Sequence, residues 1–252
     1  MREIVVIKIS GHELDDPATL RGLAAVVHSL AAQAVIVHGG GKEITALQTQ
    51  LGIEPRYVDG LRVTDAASLA VVEMALCGLI NKRVVRTLLE AGVDALGLSG
   101  VDRGLVRARQ MPHAEVDMQF TGEIETVNAP ALDPLLAAGV TPVVAPVCIG
   151  QGTNYNVNAD HVAGALAAAL GAARLVFLSN VPGVLADGTL IPHLTPVQTD
   201  DLIAQGVISG GMIPKVRTAL AALASGVREV MITNLAGLAA GTGTAFGTVV
   251  ES

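Results

Sequence analysis

The sequence has 252 residues, of which 51% are hydrophobic, and its net charge is -7 at neutral pH. This length suits one large α/β domain or two closely packed lobes, and the acidic balance without any basic run argues against nucleic acid as a partner. No apolar stretch is long and uninterrupted enough to predict a signal peptide or a membrane span, so we expect a cytoplasmic protein without a membrane partner.

Short runs of β-branched residues alternate along the chain with longer stretches rich in Ala and Leu. The runs predict strands over residues 4–10, 34–39, 95–100, 141–147, 174–180 and 228–234. The stretches predict helices over residues 17–33, 66–92, 158–172 and 211–226. Residues 103–130 break this alternation, and their pattern predicts a small antiparallel segment. The pattern therefore predicts an α/β fold whose mainly parallel sheet is covered on both faces, with a ligand crevice at the carboxyl ends of its strands.

The first two predicted strands both end in residues suited to an anion. Lys8 stands near the end of the first strand, where its side chain would point into the crevice, although a solvent-exposed lysine at the strand end is the alternative. The glycine triplet 39–41 lies between a strand and a helix, and glycines there let backbone N–H groups approach a phosphate. The triplet fits neither GxxxxGK[ST] nor GxGxxG, so a simple tight turn remains the alternative. We expect His38, just before it, to be a packed structural residue.

Polar residues also stand at two later positions where a ligand could bind. Arg62 lies in the segment DGLRVTD, predicted as a loop, and its planar fork suits a carboxylate, although pairing with a neighbouring aspartate is the alternative. Asn156, Asn158 and Asp160 directly precede an apolar helix. One of them should cap that helix, and three such groups exceed what capping needs, so at least one should face a ligand.

The last third of the chain adds a second cation beside a helix start. Gly210 and Gly211 precede a helix with Lys215 in its first turn, where a cation opposes the helix dipole unless an anion also binds. The segment LSNVPGVL is suited to lining a nucleotide base. Cys77 and Cys148 lack metal-ligand spacing and are expected to be buried free thiols. Because no nucleophile set or metal-binding cluster stands out, the predicted chemistry is anion handling by lysines and backbone amides.

Together these segments resemble the amino-acid kinase family, and most closely its branch that phosphorylates N-acetylglutamate. The resemblance is carried, in order along the chain, by KISG, VHGGGKEI, GLRVTD, INKRVVRTL, ALGLSG, GEIETVN, NVNADHVAGALA, LSNVPGVL, GGMIPKV and FGTVV. It implies a three-layer αβα sandwich around a mainly parallel sheet of about eight strands. It also implies one kinase domain over residues 1–252, with an amino-acid-binding lobe at 1–150 and an ATP-binding lobe at 151–252.

The same resemblance implies that ATP, with its Mg²⁺, phosphorylates the γ-carboxylate of N-acetyl-L-glutamate in arginine biosynthesis, and that the protein itself has no metal site. The catalytic residues implied are Lys8, Gly11, Gly40, Gly41, Asp160 and Lys215. The substrate-binding residues implied are Gly40, Gly41, Arg62 and Asn156. The nucleotide-binding residues implied are Lys8, Ser179, Asn180, Gly183, Gly210, Gly211, Met212 and Lys215.

In these implied roles, Lys8 and Lys215 neutralise the phosphoryl group in transfer, and Asp160 holds both lysines in place. The catalytic glycines donate backbone N–H bonds to phosphate oxygens. Arg62 binds the α-carboxylate of the substrate, and Asn156 lies near the acetamido group. On this basis we expect substitution of the second or third glycine of the triplet to damage turnover more than folding.

The chain departs from the family pattern at Ser10, where a second glycine is usual, and at Asn180, where aspartate is common. It also starts directly at its first strand, without the N-terminal helix that arginine-inhibited hexameric relatives use to assemble. The resemblance therefore implies a homodimer that is insensitive to arginine, with the apolar helix around residues 71–90 as the interface.

Three other functions fit parts of the sequence. A carrier-linked aminoadipate kinase of lysine biosynthesis is similar at ALCGLINKR and LSNVPG, whereas GLRVTD and NVNAD favour acetylglutamate. Ser10 alone favours a uridylate kinase. A non-catalytic amino-acid-binding regulator on the same scaffold would be expected to lack a phosphate lysine or Asp160, and this chain has all three residues.

Overall fold

The fold is seen in a computed structural model that describes residues 3–241 and 246–251. The strands are β1 Ile4–Ile9, β2 Gln33–His38, β3 Arg56–Val58, β4 Leu61–Val63, β5 Ala95–Gly100, β6 Val106–Gln110, β7 Thr121–Val127, β8 Thr141–Ile149, β9 Asn154–Val157, β10 Arg174–Leu178, β11 Leu185–Ala186, β12 Thr189–Leu190, β13 His193–Leu194, β14 Glu229–Thr233 and β15 Thr248–Val250. The α-helices are α1 Gly11–Asp15, α2 Pro17–Ser29, α3 Gly41–Gln50, α4 Ala66–Glu73, α5 Asn81–Glu90, α6 Asp133–Ala137, α7 Ala159–Ala169, α8 Pro196–Ala204, α9 Met212–Ala224 and α10 Leu235–Ala240.

One large sheet includes strands from both halves of the chain. Within the described residues it has eleven strands, and its centre is the parallel run β14, β10, β1, β2, β8 and β5. Shorter strands, several of them antiparallel, extend both ends. The predicted mainly parallel αβα sandwich is confirmed, with additional short strands. The division into two lobes at residue 150 stays a prediction.

Alternation along β1 separates two hydrophobic cores. Val5, Ile7 and Ile9 belong to the core that includes residues of α2, α5 and α10. Val6 belongs to the core that includes residues of α7 and α9 on the other face. Because successive side chains of a strand point to opposite faces, Lys8 lies on the face of Val6 and points toward α7 and α9.

Residues 66–92 differ from the single regular helix that their spacing predicts. A π-helical segment, Met74–Ile80, joins α4 directly to α5. It buries Leu76 and Ile80, while Met74 and Leu79 stay exposed. Such wider turns are frequent near functional sites, and the buried side of this one contacts the glycine triplet.

The segment around Arg62 forms a hairpin, and the prediction of a loop there is wrong. β3 and β4 pair antiparallel around Asp59 and Gly60, which have positive φ angles of 49° and 76°. An Asp-Gly pair with two positive φ angles is typical of a two-residue hairpin turn. Arg62 consequently lies on β4. The antiparallel segment predicted for residues 103–130 is confirmed by the pairing of β6 with β7.

Both cysteines are free thiols, as predicted, and Cys148 is buried, but the prediction of burial is wrong for Cys77, which is half-buried. Burial raises the pKa of the Cys77 thiol to about 11, so this thiol stays protonated at neutral pH and is a poor nucleophile. Across residues 3–241 and 246–251, no helix combines the length and the apolarity needed to cross a bilayer.

Candidate active site

The carboxyl ends of three central strands meet at one edge of the sheet. Ile9 at the end of β1 pairs with His38 of β2 on one side and with Leu178 of β10 on the other. The residues that follow these strands therefore lie beside one another. A cleft of about 260 Å³ opens at this edge. It brings together the predicted residues Lys8, Gly11, Gly40, Gly41, Arg62, Asn156 and Asp160.

A carboxylate lies between two lysines below the cleft. Lys8 reaches it from β1, Asp160 from the first turn of α7, and Lys215 from the first turn of α9. The Lys8 Nζ atom lies 2.7 Å from Asp160 Oδ1, and the Lys215 Nζ atom lies 3.7 Å from Asp160 Oδ2. All three residues are buried, with 5–7% of their surface exposed. The structure thus brings together residues 8, 160 and 215, which are far apart in the sequence and which the family resemblance placed in one cluster.

Burial and mutual charge set the ionisation of this cluster. Burial alone would raise the pKa of Asp160, but the charges of Lys8 and Lys215 outweigh it and hold that pKa below its ordinary value. Burial and the neighbouring Lys8 lower the pKa of Lys215 to about 8, against the attraction of Asp160. The cluster is one carboxylate beside two cations, so it has excess positive charge that would attract an anion.

The glycine triplet presents two backbone amides toward the cleft. The N–H of Gly39 donates to Ile9 O at 3.1 Å, which makes Gly39 part of the turn. Gly40 caps α3 and Gly41 begins it, and among the described residues no hydrogen-bond acceptor is found for either amide. Unpaired N–H groups at a helix start attract anions. The geometry therefore favours an anion near Gly40 and Gly41.

Substitutions at these two glycines should have different effects. A Cβ atom on Gly40 would clash with the side chains of Leu76 and Ile80 in the π-helical segment, whereas a Cβ on Gly41 would have no neighbour within 4 Å. Gly40→Ala is therefore expected to lower the free energy of unfolding by about 2 kcal/mol, which corrects the expectation that folding is spared there. Gly41→Ala should keep the stability and lower turnover about tenfold or more, because its methyl group enters the cleft. Urea unfolding and steady-state kinetics on both variants would check this, and equal stability loss in both would contradict it.

Arg62 is buried against the start of α3 rather than paired with Asp59 or Asp65. Its Nη2 atom donates to Gly41 O at 3.1 Å and to Thr45 Oγ1 at 2.8 Å, and its Nη1 atom donates to Gln48 Oε1. Since a guanidinium has five N–H groups, further donors remain for a ligand in the cleft.

A polar network that the sequence did not reveal supports the cleft floor. Asn156 Nδ2 donates to Thr64 Oγ1 at 3.0 Å, and Thr121 Oγ1 lies 3.1 Å from the same hydroxyl. No sequence pattern pointed to these two threonines, because they become neighbours of Asn156 only when β4, β7 and β9 assemble. Asn158 caps α7 by accepting from the Asp160 amide at 2.7 Å, as expected of one residue in that group.

The predicted nucleotide-binding residues, apart from Lys8, do not line this cleft. Ser179 and Asn180 follow β10, which places them beside the end of β1. Gly183 packs against Thr248 of β15, where any side chain would clash, so packing alone requires glycine there. Gly210 and Gly211 directly precede α9, whose first turn includes Met212 and Lys215. The Lys215 Nζ atom lies 6.0 Å from the ring centre of Phe177 on β10.

His38 is a buried structural residue. Its Nδ1 atom lies 2.9 Å from Gly39 O, and its Nε2 atom lies 3.2 Å from Asn81 Nδ2. Asn81 also donates to Val143 O at 2.8 Å, which connects the start of α5 to β2 and β8. Burial lowers the pKa of His38 to about 4, so the ring is neutral at physiological pH and holds the turn before the triplet.

This buried histidine should make the protein less stable in mild acid. Between its folded pKa of about 4 and its ordinary value of 6.5, the unfolded chain binds a proton that the folded chain does not. Lowering the pH from 7 to 5 should therefore remove about 2 kcal/mol of stability through His38. Urea unfolding of the wild type and of His38→Gln at both pH values isolates this contribution. Equal pH-dependent losses in the two proteins would contradict it.

An α/β sheet with a lysine pair, a carboxylate and free glycine amides at its carboxyl edge is typical of proteins that act on phosphorylated ligands. Residues 3–234 match the amino acid kinase family, and the chain belongs to that family. Acetylglutamate kinase of Chloroflexus aurantiacus is 55% identical over 94% of each chain. Acetylglutamate kinase of Methanopyrus kandleri is 47% identical over 95% of this chain and 98% of its own. The structure of N-acetylglutamate synthase from Neisseria gonorrhoeae, complexed with coenzyme A and N-acetyl-glutamate, aligns with a TM-score of 0.85 at 28% identity, over 99% of this chain and 59% of that one.

Proposed function

We propose that this protein transfers the γ-phosphoryl group of ATP to the γ-carboxylate of N-acetyl-L-glutamate, the acetylglutamate kinase reaction of arginine biosynthesis. Relatives with that name, at 55% and 47% identity over nearly the whole chain, support the proposal. The observation that carries it is the buried Lys8–Asp160–Lys215 cluster beside a cleft that also contains Arg62.

The chemistry needs charge stabilisation more than proton transfer. A γ-carboxylate has an ordinary pKa of about 4.3, so it is already ionised at neutral pH and needs no general base. Its oxygen attacks the γ-phosphorus, the bond to the bridging oxygen breaks, and ADP leaves. The main obstacle is repulsion between the carboxylate and the phosphates. The two lysines and the amides of Gly40 and Gly41 would offset that repulsion at the transferring group.

The remaining residues would position the two substrates. Arg62 would bind the α-carboxylate, and Asn156 would hold the acetamido group. Ser179, Asn180 and the start of α9 would lie along the nucleotide. Both oxygens of Asp160 face lysines, so this carboxylate fits a lysine-holding role and not that of a metal ligand. We propose that Mg²⁺ enters on the phosphates of ATP, whose charge it would shield.

An ADP-release assay with N-acetylglutamate, glutamate, aminoadipate and UMP in parallel tests the proposal. We expect ADP formation with N-acetylglutamate alone, and little with the other three acceptors. Turnover that requires a carrier-bound aminoadipate, or turnover with UMP, would reject it.

We also propose a cytoplasmic homodimer. Its interface would include the π-helical segment and the neighbouring edge strand β5, where Met74, Leu79 and Leu96 are 54%, 55% and 43% exposed. The π-helical segment and β5 are in contact, and exposed large apolar side chains on neighbouring elements favour a protein interface. Light scattering on the wild type and on Leu79→Asp would test it, and a monomeric wild type would reject it.

A further inference from the structure

Ser10 lies between the two lysine ammonium groups. Its Oγ atom is 3.2 Å from Lys8 Nζ and 3.3 Å from Lys215 Nζ. The same hydroxyl donates to Leu178 O, at the end of β10, at 3.1 Å. A serine hydroxyl has one hydrogen to donate and two lone pairs, and this arrangement uses all three.

The hydroxyl matters more to Lys215 than to Lys8. Lys8 is also held by a close ion pair, with Asp160 Oδ1 at 2.7 Å from its Nζ atom. The nearest carboxylate oxygen to Lys215 lies 3.7 Å away, which is beyond hydrogen-bond distance. Ser10 Oγ is therefore the acceptor that holds the Lys215 ammonium group beside Lys8, against the repulsion of two like charges.

Ser10 also connects β1 with the neighbouring strand β10. It directly follows β1, and its bond to Leu178 fixes the hydroxyl hydrogen toward β10, so that both lone pairs face the lysines. A glycine at position 10 could make none of these bonds.

We propose that Ser10 is a positioning residue that holds the ammonium groups of Lys8 and Lys215 at the spacing needed to contact one phosphoryl group. This inference rests on the proposed role of the two lysines in phosphoryl transfer. It assigns a mechanistic role to the residue at which the chain departs from the glycine usual in the family.

Kinetics of Ser10→Ala and Ser10→Thr, over a range of pH, test the inference. Thr keeps the hydroxyl, and the backbone of Ser10, at φ -83° and ψ 167°, accepts a β-branched residue. Ser225→Ala is the matched control, because it removes an exposed hydroxyl that bonds Ala221 O at 2.8 Å far from the cluster. We expect Ser10→Ala to lower kcat/KM for ATP about tenfold at pH 7, the usual effect of losing a hydrogen bond to a charged group, and Ser10→Thr to restore most of it.

The pH profile separates positioning from simple folding effects. Lys215 is faced by Lys8 from β1, Asp160 from α7 and Glu13 from α1, and its pKa is about 8. Removing an acceptor for its charged form should lower that pKa further, so kcat/KM for ATP should begin to fall at a pH up to about one unit lower in Ser10→Ala.

The possible outcomes distinguish a failure of this inference from a failure of the proposed function. Unchanged kcat/KM and an unchanged alkaline limb in Ser10→Ala, while Lys8→Ala and Lys215→Ala lose activity, would overturn the inference alone. A loss in Ser10→Ala that Ser10→Thr does not restore, accompanied by a lower Tm in both, would mean a structural role and would also overturn it. Normal turnover in either lysine variant would reject the proposed function together with the inference.

Discussion

Replacing Lys8 or Lys215 by alanine is expected to lower kcat about 10²-fold or more. Each change removes a fixed cation from the place where the transferring phosphoryl group carries its negative charge, and the loss of one such preorganised group typically has an effect of this size. The effect should be on kcat more than on KM for N-acetylglutamate, because that substrate is proposed to bind through Arg62 and Asn156.

ADP release at saturating substrates measures this effect. Lys82→Ala is the matched control, since Lys82 is an exposed lysine on α5 whose ammonium group lies 3.2 Å from Asn81 Oδ1. It should retain wild-type turnover. Circular dichroism and Tm would verify that the lysine variants are folded, and near-normal turnover in a folded variant at either position would contradict the assignment.

The central architecture could be predicted because its signals are local. The alternation of apolar runs and Ala-rich helices predicted the parallel sheet, and the position of Lys8 near the end of the first predicted strand placed it at the crevice. Arg62 was placed in a loop although the preceding Asp-Gly pair is a strong hairpin signal, because β3 and β4 are only three residues long each.

The contacts that define the candidate site could not be predicted from local pattern. Ser10 and Lys215 are 205 positions apart in the sequence, and their contact depends on the register of β1 with β10 and on the packing of α9. The packing of Gly40 against Leu76 and Ile80 depends on the π-helical segment, for which the helical spacing gave no sign. Gln48, which accepts a hydrogen bond from Arg62, could have been found in part from its spacing. It is a polar residue four positions after Ile44, on the buried face of α3.

Replacing Asp160 by asparagine should lower both the stability of the fold and the turnover. Asparagine keeps the shape of the side chain but removes the negative charge that lies between two buried ammonium groups. Removal of one partner from a buried ion pair typically costs about 3–5 kcal/mol, so we expect a loss of about 3 kcal/mol at pH 7. Turnover should fall with it, because the lysines lose the group that holds them together.

The double variant Asp160→Asn/Lys215→Met tests whether charge repulsion between the two lysines causes the stability loss of Asp160→Asn. Removing one of the two repelling cations should recover part of the stability while leaving turnover low. The loss in Asp160→Asn should also shrink as the pH rises from 7 to 9. The reason is that the charge of Asp160 raises the pKa of Lys215, so without it that pKa should lie even further below its ordinary value than in the wild type. Between pH 7 and 9 the stability of the variant should therefore rise more steeply with pH than that of the wild type. Urea unfolding at both pH values measures these effects. A stable Asp160→Asn protein, or a double variant no more stable than the single one, would mean that the lysines do not depend on Asp160 for their charge balance.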